Sequence, residues 1–481
     1  MRFLVLMFCV LSIFSVQAQQ TISFDEALNM MLESNRVIEG AKLGVNAAHS
    51  EYRAAKGGYM PQVELVGNYS YLQHDVDIEL GGAKGLVTES LESLINKGVS
   101  DGIITPTIAT LLGEGLSPIL GADWRYTLQK RNFGFVGTTV TMPIYLGGRM
   151  NSVNRVARLG LEGAYNELDG VTNSLITELV ERYYGVILSG EVIKVREAVV
   201  RGVEQHLSDA LAMEEEGIVA HSVILYLEYK LSDARREYTD AVNEYRVAKL
   251  ALMTTLQSSD ILLPDDALFL ASNIYDIEYY KDNAIKSNTL IREVNLAKSV
   301  AKEGVNIAKS SMLPAIVAMG GASIYNHNVS GLIPRWAVGV GVSVPIFGGL
   351  SHQSQYKAAQ YREQGVIQMA EKAKESILLL VDKEYYTLQN GVAAIESCRR
   401  SIDFAQSYYQ TSLDGFYEGV TSSSELMDAR TALAGAGVEY LNAVYEYTLS
   451  LARLLELSGL SSEFVLYKSS ADIVDINSVI R

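Results

Sequence analysis

Two acidic residues near the carboxyl-terminal end combine a residue type and a spacing that could do chemistry. Glu425 and Asp428 lie three positions apart, so a helix would place both carboxylates on one face. Acidic groups repeated around a pore favour the passage of cations. The alternative, that they are solvated acids on an exposed helix, stays open at this point.

No pattern in the sequence supports catalysis. There is no His-Glu-x-x-His run, no phosphate-binding glycine loop and no Gly-x-Ser-x-Gly elbow. The histidines lack the spacing of metal ligands and are scattered at positions 49, 74, 206, 221, 327 and 352. We therefore predict a protein that is not an enzyme, with no catalytic residue, no metal site and no cofactor.

The composition excludes several further classes of protein. Of the 481 residues, 48% are apolar and only 8 are proline, which excludes a disordered chain. The 40 basic and 56 acidic residues give a net charge of −16, so nucleic acid is not an expected partner. Two cysteines are too few for a disulfide scaffold.

The amino terminus has the features of a secretory signal. Arg2 precedes an apolar run that reaches about Val16, and Ala18 precedes a polar pair. This pattern predicts a signal peptide over residues 1–18. Its removal leaves Cys398 as the only thiol, which we expect to be buried. Since no later segment offers about 18 uninterrupted apolar residues, the exported chain is periplasmic, extracellular or an outer-membrane β-barrel.

The chain also contains an internal repeat. Pro61 and Pro314 lie in similar segments 253 positions apart, whereas Pro143 and Pro345, each followed by paired glycines, are 202 positions apart. The two tip sequences described below keep the shift of 202. Several matches in order indicate a duplication. The change of shift predicts an insert of 51 residues in the first copy, within an extracellular segment over about 75–130.

Each copy is predicted to contain two strands, and the clearest of them alternate between apolar and small or polar residues. The predicted strands span about 62–72, 132–142, 315–326 and 335–344. Aromatic residues near the strand ends favour a lipid-facing band, although the edge of a soluble sandwich is an alternative. Four strands cannot close a barrel, and lipid cannot satisfy an open sheet edge. A membrane location therefore requires oligomerisation, and a homotrimer, surrounded by outer-membrane lipid, would give twelve strands.

Long helices without proline follow the strands. They are predicted over about 148–213 and 349–413, each about 97 Å long at about 1.5 Å per residue. Each ends at a tip turn, over 214–221 and 414–423. Shorter helices return from the tips, and helices over about 24–56 and 279–309 open the two copies. These columns predict the wall of a tube, with four columns per chain and twelve per trimer.

The domain boundaries follow from this pattern. The first repeat spans 19–257 and the second spans 277–459. An equatorial linker over 258–276 joins them, because Ser258, Ser259 and Pro264 interrupt the helical pattern. An equatorial tail over 460–481 ends the chain.

The sequence at this point resembles the TolC family of outer-membrane efflux and secretion channels. The resemblance covers nearly all of residues 20–460. It is strongest at Phe416-Tyr417-Glu418-Gly419 followed by Glu425-Leu426-Met427-Asp428-Ala429-Arg430, and Ala27-Leu28 with Ser34-Asn35 adds to it. The fold class implied is an α+β membrane protein, in which four strands per chain form a twelve-stranded trimeric β-barrel. A twelve-helix periplasmic α-barrel continues it.

The resemblance also implies a function. Such a channel is the passive exit duct of a tripartite efflux or type I secretion system, in the outer membrane of a Gram-negative bacterium with a long periplasmic extension. Its partners would be a periplasmic adaptor (a membrane fusion protein) and an inner-membrane pump of the RND or ABC type. The alternatives are a periplasmic coiled-coil adaptor or structural trimer without a barrel, and a secreted helical enzyme.

Candidate site residues follow from the same comparison. Glu425 and Asp428 are the candidate periplasmic gate and cation-selectivity residues, with six carboxylates per trimer. The tip turns, with adaptor docking, are assigned to Gly217, Ser222, Phe416, Gly419 and Thr421, and the strand–helix junctions to Pro61, Pro143, Pro314 and Pro345.

The tips depart from the family's best-known member at three positions. Val223 stands where that member has an acid, Thr421 where it has an arginine, and Phe416 where it has a tyrosine. The bonds that hold its closed tip are therefore expected to be absent or rebuilt in this chain.

Overall fold

A computed structural model describes residues 20–473. The predicted signal peptide over 1–18 and positions 474–481 of the predicted tail lie outside the described residues. The chain forms two compact units. The first contains residues 20–52, 155–304 and 359–473, and the second contains residues 53–154 and 305–358.

Eleven α-helices are assigned within the described range, together with a short 3-10 helix over Ser461–Glu463. They are α1 (Phe24–Ser34), α2 (Arg36–Gly57), α3 (Gly81–Ser100), α4 (Pro106–Gly121), α5 (Arg149–Glu215), α6 (His221–Leu256), α7 (Ile277–Ser287), α8 (Thr289–Ser310), α9 (Ser351–Tyr417), α10 (Ser423–Leu457) and α11 (Phe464–Ser469).

Ten strands are assigned in the same range. They are β1 (Gln20–Ile22), β2 (Gln62–Tyr71), β3 (Val76–Glu79), β4 (Arg125–Gln129), β5 (Asn132–Leu146), β6 (Leu262–Pro264), β7 (Phe269–Ala271), β8 (Ala315–His327), β9 (Trp336–Ser343) and β10 (Ala471–Ile473).

The long helices α5 and α9 have 67 residues each, and the returning helices α6 and α10 have 36 and 35. No helix among residues 20–473 has an apolar stretch long enough to cross a bilayer.

The helices that open the two copies are each broken once, which the sequence analysis did not anticipate. Asn35 separates α1 from α2, and Asn288 separates α7 from α8. The Asn35 amide donates to the carbonyl of Thr255 at 3.1 Å, and the Asn288 amide donates to that of Leu457 at 2.8 Å. At each break, the asparagine side chain thus provides a hydrogen-bond donor for a carbonyl at the carboxyl-terminal end of a returning helix, where the helix itself offers no N–H.

A buried aromatic cluster forms the centre of the helical unit. Phe24, Tyr183, Tyr184, Phe269 and Phe464 are each at most 2% exposed, and their ring centroids lie 5.0 to 6.1 Å apart where they contact. Phe464 comes from α11, so the carboxyl-terminal segment completes this core.

One ionic node beside the cluster joins distant parts of the sequence. Lys468 donates to Asp266 at 2.8 Å and to Asp25 at 3.1 Å, and the Tyr183 hydroxyl lies 2.8 Å from Asp266. Burial alone would raise the pKa of Asp266, but the Lys468 ammonium, the Phe24 N–H and the Tyr183 hydroxyl together hold that pKa below its usual value. The node thus holds a carboxylate and an ammonium together at the base of α1, the linker and α11.

The second unit contains a four-stranded antiparallel sheet of order β2-β5-β8-β9. The first repeat supplies β2 and β5, the second supplies β8 and β9, and the β5–β8 pairing joins the repeats. β2 and β9 are the edges of this sheet. Val63, Val140, Gly320 and Val338 lie in one row across it, so they share a face.

The structure corrects the expected position of Pro143. β5 continues to Leu146, so Pro143 lies inside a strand, opposite Val317 and beside a bulge, and not at a strand–helix junction. Pairing with β2 ends at Thr141, so Pro143 lies where β5 bonds to β8 alone and needs no second ladder partner.

The junction with α5 is made instead by Gly147 and Gly148, at φ +62° and +84°. A Cβ on Gly147 would lie 2.6 Å from the Ser310 carbonyl oxygen, so the close approach there requires glycine. Pro61 and Pro314 each directly precede a strand, and Pro345 follows β9.

The insert of the first copy is a helical hairpin on a short ladder. β3 pairs with β4, and α3 and α4 lie between them in the sequence. The Gln129 side chain donates to the carbonyl of Asn328 at 2.7 Å and accepts from the N–H of Ser330 at 2.8 Å. These two bonds fasten the base of the insert to the loop between β8 and β9.

We predict that Asn288→Ala lowers the stability of the chain by about 1–3 kcal/mol, because it leaves buried backbone groups without partners. The measurement is thermal loss of the helical circular dichroism signal in detergent. Asn295→Ala, on the exposed surface of α8, is the matched control. Equal melting of both variants and the parent chain would contradict the role given to Asn288.

Candidate functional site

The two helical tips are built by the same backbone device. α5 ends at a turn in which Gly217 has φ +73°, and α9 ends at one in which Gly419 has φ +77°. In the first turn the N–H of Ile218 donates to the carbonyl of Met213 at 2.8 Å. In the second, the N–H of Val420 donates to the carbonyl of Gly415, also at 2.8 Å. Glycine in the left-handed region ends both helices in this way.

The candidate gate acids lie at the start of α10. Ser422 caps this helix by accepting from the N–H of Glu425 at 3.2 Å. Glu425 and Asp428 are both exposed, whereas the intervening Leu426 and Met427 are buried. Neither carboxylate forms a hydrogen bond or ion pair with another residue of the described chain. Both carboxylates are therefore solvated in the single chain. They lie on the exposed face of α10, and Leu426 and Met427 lie on its buried face.

The structure corrects the expected position of Phe416. It lies within the last turn of α9, not in the tip turn, and is 6% exposed. Its ring meets the His206 ring edge-on at 4.4 Å, in an apolar cluster with Val203 and Leu227. Phe416 therefore packs the tip from within. Gly217, Ser222 and Gly419 are exposed, and Thr421 is half-buried.

Tyr417, which the sequence analysis did not single out, bonds the two long helices. Its hydroxyl donates to Asp209 on α5 at 2.9 Å. The bond to Asp209 raises the pKa of the Tyr417 hydroxyl above its usual value. Position 416 thus has a phenylalanine, and the tyrosine that bonds to α5 is the next residue, Tyr417. Tyr417 belongs to the same Phe416-Tyr417-Glu418-Gly419 run, so the sequence offered a signal for this bond.

Arg430 makes a second link that the sequence analysis missed. Its guanidinium lies 4.9 Å from the centre of the Tyr409 ring on α9 and donates to the Tyr409 hydroxyl and, at 3.4 Å, to the carbonyl of Ala198 on α5. A Cβ on Gly202 would lie 0.8 Å from its Nη1 atom. Gly202 thus gives the guanidinium its place between α5, α9 and α10.

His206 lies inside the same region. Burial is the main reason that the pKa of His206 is lowered to about 4, and the positive charge of Arg430 lowers it further. The negative charge of Asp209 has a smaller, opposite effect. Its Nε2 atom has no hydrogen-bond partner among the described residues. The ring is therefore neutral at physiological pH.

Comparison with known proteins shows what this architecture is. The model of the family described as outer membrane efflux protein matches residues 281–460, which lie within the second repeat. Outer membrane protein TolC of Escherichia coli is 22% identical over 373 residues, covering 72% of this chain and 74% of that protein. The second repeat therefore matches the outer membrane efflux protein family, and most of the chain is similar to TolC.

Two further proteins extend this similarity. Alkaline protease secretion protein AprF of Pseudomonas aeruginosa is 23% identical over 318 residues, covering 63% of this chain and 65% of that protein. The crystal structure of the channel protein CusC superposes with a TM-score of 0.70 at 15% identity, covering 91% of this chain and 92% of that one. The helix-rich fold is thus that of outer-membrane channel proteins.

The expected localisation is confirmed. The matching family and the TolC relatives are outer-membrane proteins, so this chain is located in the outer membrane of a Gram-negative bacterium.

We predict that Arg430→Met costs about 1–2 kcal/mol of stability, because a stacked guanidinium and its hydrogen bonds are lost. In a Gly202→Ala background the same change should cost much less, since the alanine already displaces the guanidinium. Thermal melting in a double-mutant cycle measures this coupling. Gly163→Ala on α5, where a Cβ meets open space, is the control, and simple additivity of Arg430→Met with Gly202→Ala would refute the contact.

We also predict a pH dependence that arises from His206. Its pKa is lower in the folded chain than the value of 6.5 expected for an exposed ring, so the unfolded chain takes up the proton first. The contribution of the neutral His206 ring to stability is therefore complete above about pH 6.5. That contribution is lost progressively as the pH falls toward the folded pKa of about 4.

Melting temperatures between these two pH values test the prediction. His206→Gln should flatten their pH dependence, whereas His49→Gln, at an exposed position on α2, should leave it unchanged. The assignment fails if His206→Gln retains the full slope.

Proposed function

We propose that three copies of this chain form an outer-membrane channel-tunnel, which serves as a passive exit duct. The observation that carries this proposal is the sheet of order β2-β5-β8-β9, whose outer edges have no pairing strand among the described residues. Inside a bilayer such edges need partners. Three identical sheets joined edge to edge would supply twelve strands and close a barrel.

The faces of the sheet support the same arrangement. Val63, Leu65 and Val338 are at least 67% exposed on one face, and Trp336 at the end of β9 shares it. The opposite face carries Ala337, Gly339 and other small or polar residues. An apolar outer face with an aromatic residue near its rim is the pattern of membrane strands.

The helical unit supplies the periplasmic part of the proposal. α5 and α9 are too long for the interior of an ordinary globular domain, and they end in matched turns where an adaptor can dock. In the trimer they would contribute to a twelve-helix tunnel, with Glu425 and Asp428 around its narrow end. Since the region that holds these acids is tied by Tyr417 and Arg430, we place the gate there.

The partners follow from the relatives. One relative is described as a secretion protein for alkaline protease, and the matching family is described as efflux proteins. We therefore propose that this chain works with a periplasmic adaptor and an inner-membrane pump of the RND or ABC type. A periplasmic adaptor without a barrel is disfavoured, because its helical hairpins would need no four-stranded sheet.

The purified chain is expected to form a heat-modifiable trimer in the outer-membrane fraction and to conduct ions in planar bilayers. Exchanging both acids in Glu425→Gln/Asp428→Asn should weaken block by divalent cations by about tenfold or more, since each nearby charge contributes about 1 kcal/mol even in water. Glu439→Gln/Glu446→Gln, at exposed positions further along α10, removes the same number of charges and is the control for position.

The two parts of this experiment fail separately. A water-soluble monomer of compact dimensions would overturn the channel itself. A conducting trimer whose divalent block is the same in the double variant would overturn only the gate assignment.

A further inference from the structure

A groove runs along the apolar face of the sheet. Its floor is the run of small residues Ala318, Gly320 and Ala322 on β8, and larger side chains of the two neighbouring strands form its sides. Val140 and Met142 stand on the β5 side, and Trp336 and Val338 stand on the β9 side. Because side chains alternate along a strand, the small floor and the tall walls belong to one face.

The size and chemistry of the groove restrict what can fill it. Its volume is about 570 Å³, within the range of about 300–1,000 Å³ that small-molecule sites have. The lining residues are all uncharged, and their side chains are apolar except for the Trp336 indole N–H and the hydroxyl of Thr138, which lies on β5 opposite Ala322. From Ala318 to Ala322 the floor is about 13 Å long at about 3.3 Å per residue. That is about half of the ~25–30 Å apolar thickness of a membrane.

The surroundings of this face then identify the occupant, an argument that rests on the proposed function. In the proposed trimer neighbouring copies join through the edges β2 and β9, so no copy covers the flat face. The chain is an outer-membrane protein, and the material against an apolar face of its membrane strands is lipid. A trough with the length of one leaflet and no charged wall fits a hydrocarbon chain.

We propose that this groove binds a single acyl chain of a membrane lipid, with the ester end beside Trp336 and the methyl end toward Met142. Tryptophan is enriched at the membrane–water interface, and Trp336 lies at the end of β9 that adjoins the β8–β9 loop. Lipid tails are as apolar as the side chains they meet, so preference for this site comes from shape and contact alone.

The test uses the full-length trimer in nanodiscs of phosphatidylethanolamine and phosphatidylglycerol that contain a lipid with a photoreactive diazirine on its acyl chain. Labelled residues are mapped by peptide mass spectrometry. Labelling of Val140, Met142 and Val338 is expected to exceed that of Leu65 and Val342 by about fivefold, which corresponds to about 1 kcal/mol of preference. Leu65 and Val342 are well exposed residues of β2 and β9 outside the groove, and Val342 lies opposite Ile316, beyond the end of the floor.

A filled groove provides the decisive variant. Ala318→Leu/Ala322→Leu keeps the face apolar but occupies the floor, so labelling of the walls should fall to the level of Leu65. Val63→Leu adds a methylene to the same face outside the groove and should change nothing. Labelling that follows exposure alone, and is equal in the filled variant, would overturn the proposal.

The same measurement separates this inference from the proposed function. Labelling of Leu65 and Val342 without enrichment at the walls would overturn the groove and leave the membrane role intact. Absence of labelling over the whole face would overturn both.

Discussion

Satisfaction of backbone hydrogen bonds is the constraint on which the rest of this structure depends. The β5–β8 pairing consumes one edge from each repeat, which leaves β2 and β9 as the outer edges of a four-stranded sheet. A duplicated chain therefore ends with two open edges however well its halves fit together. The same constraint acts at the breaks in the opening helices, where Asn35 and Asn288 donate hydrogen bonds to carbonyls at the ends of α6 and α10.

The duplication is preserved in local devices and lost in packing. The asparagine breaks and the glycine turns recur in both copies, because each answers a backbone need that the copies share. The tyrosine pairs do not recur in this sense. Tyr183 and Tyr184 are fully buried, whereas Tyr386 is 56% exposed. Phe464 lies against Tyr184, and one carboxyl-terminal segment can complete only one of the two sites.

Much of the fold could be predicted from the sequence, because alternation along strands and long runs without proline are local signals. The resemblance to TolC and the outer-membrane location were predicted and confirmed. Pro143 was misplaced, since nothing local shows that β2 stops at the partner of Thr141 while β5 continues. The helix breaks were missed because Asn35 and Asn288 act on carbonyls more than 150 residues away. Phe416 was placed in the tip turn because nothing local shows that α9 continues to Tyr417. The close approach of Arg430 to Gly202 was missed because it depends on packing between distant segments.

The position of Phe464 has a consequence for biogenesis. The polypeptide emerges amino terminus first, so Phe24, Tyr183 and Tyr184 leave the ribosome and the export machinery before the residue that shields them. Until α11 has been delivered, the aromatic surface of Phe24, Tyr183 and Tyr184 is uncovered, and Asp266 lacks the ammonium group of Lys468. The core of the helical unit can consequently be completed only after α11 has been synthesised and exported. A chain that lacks α11 cannot form the finished core.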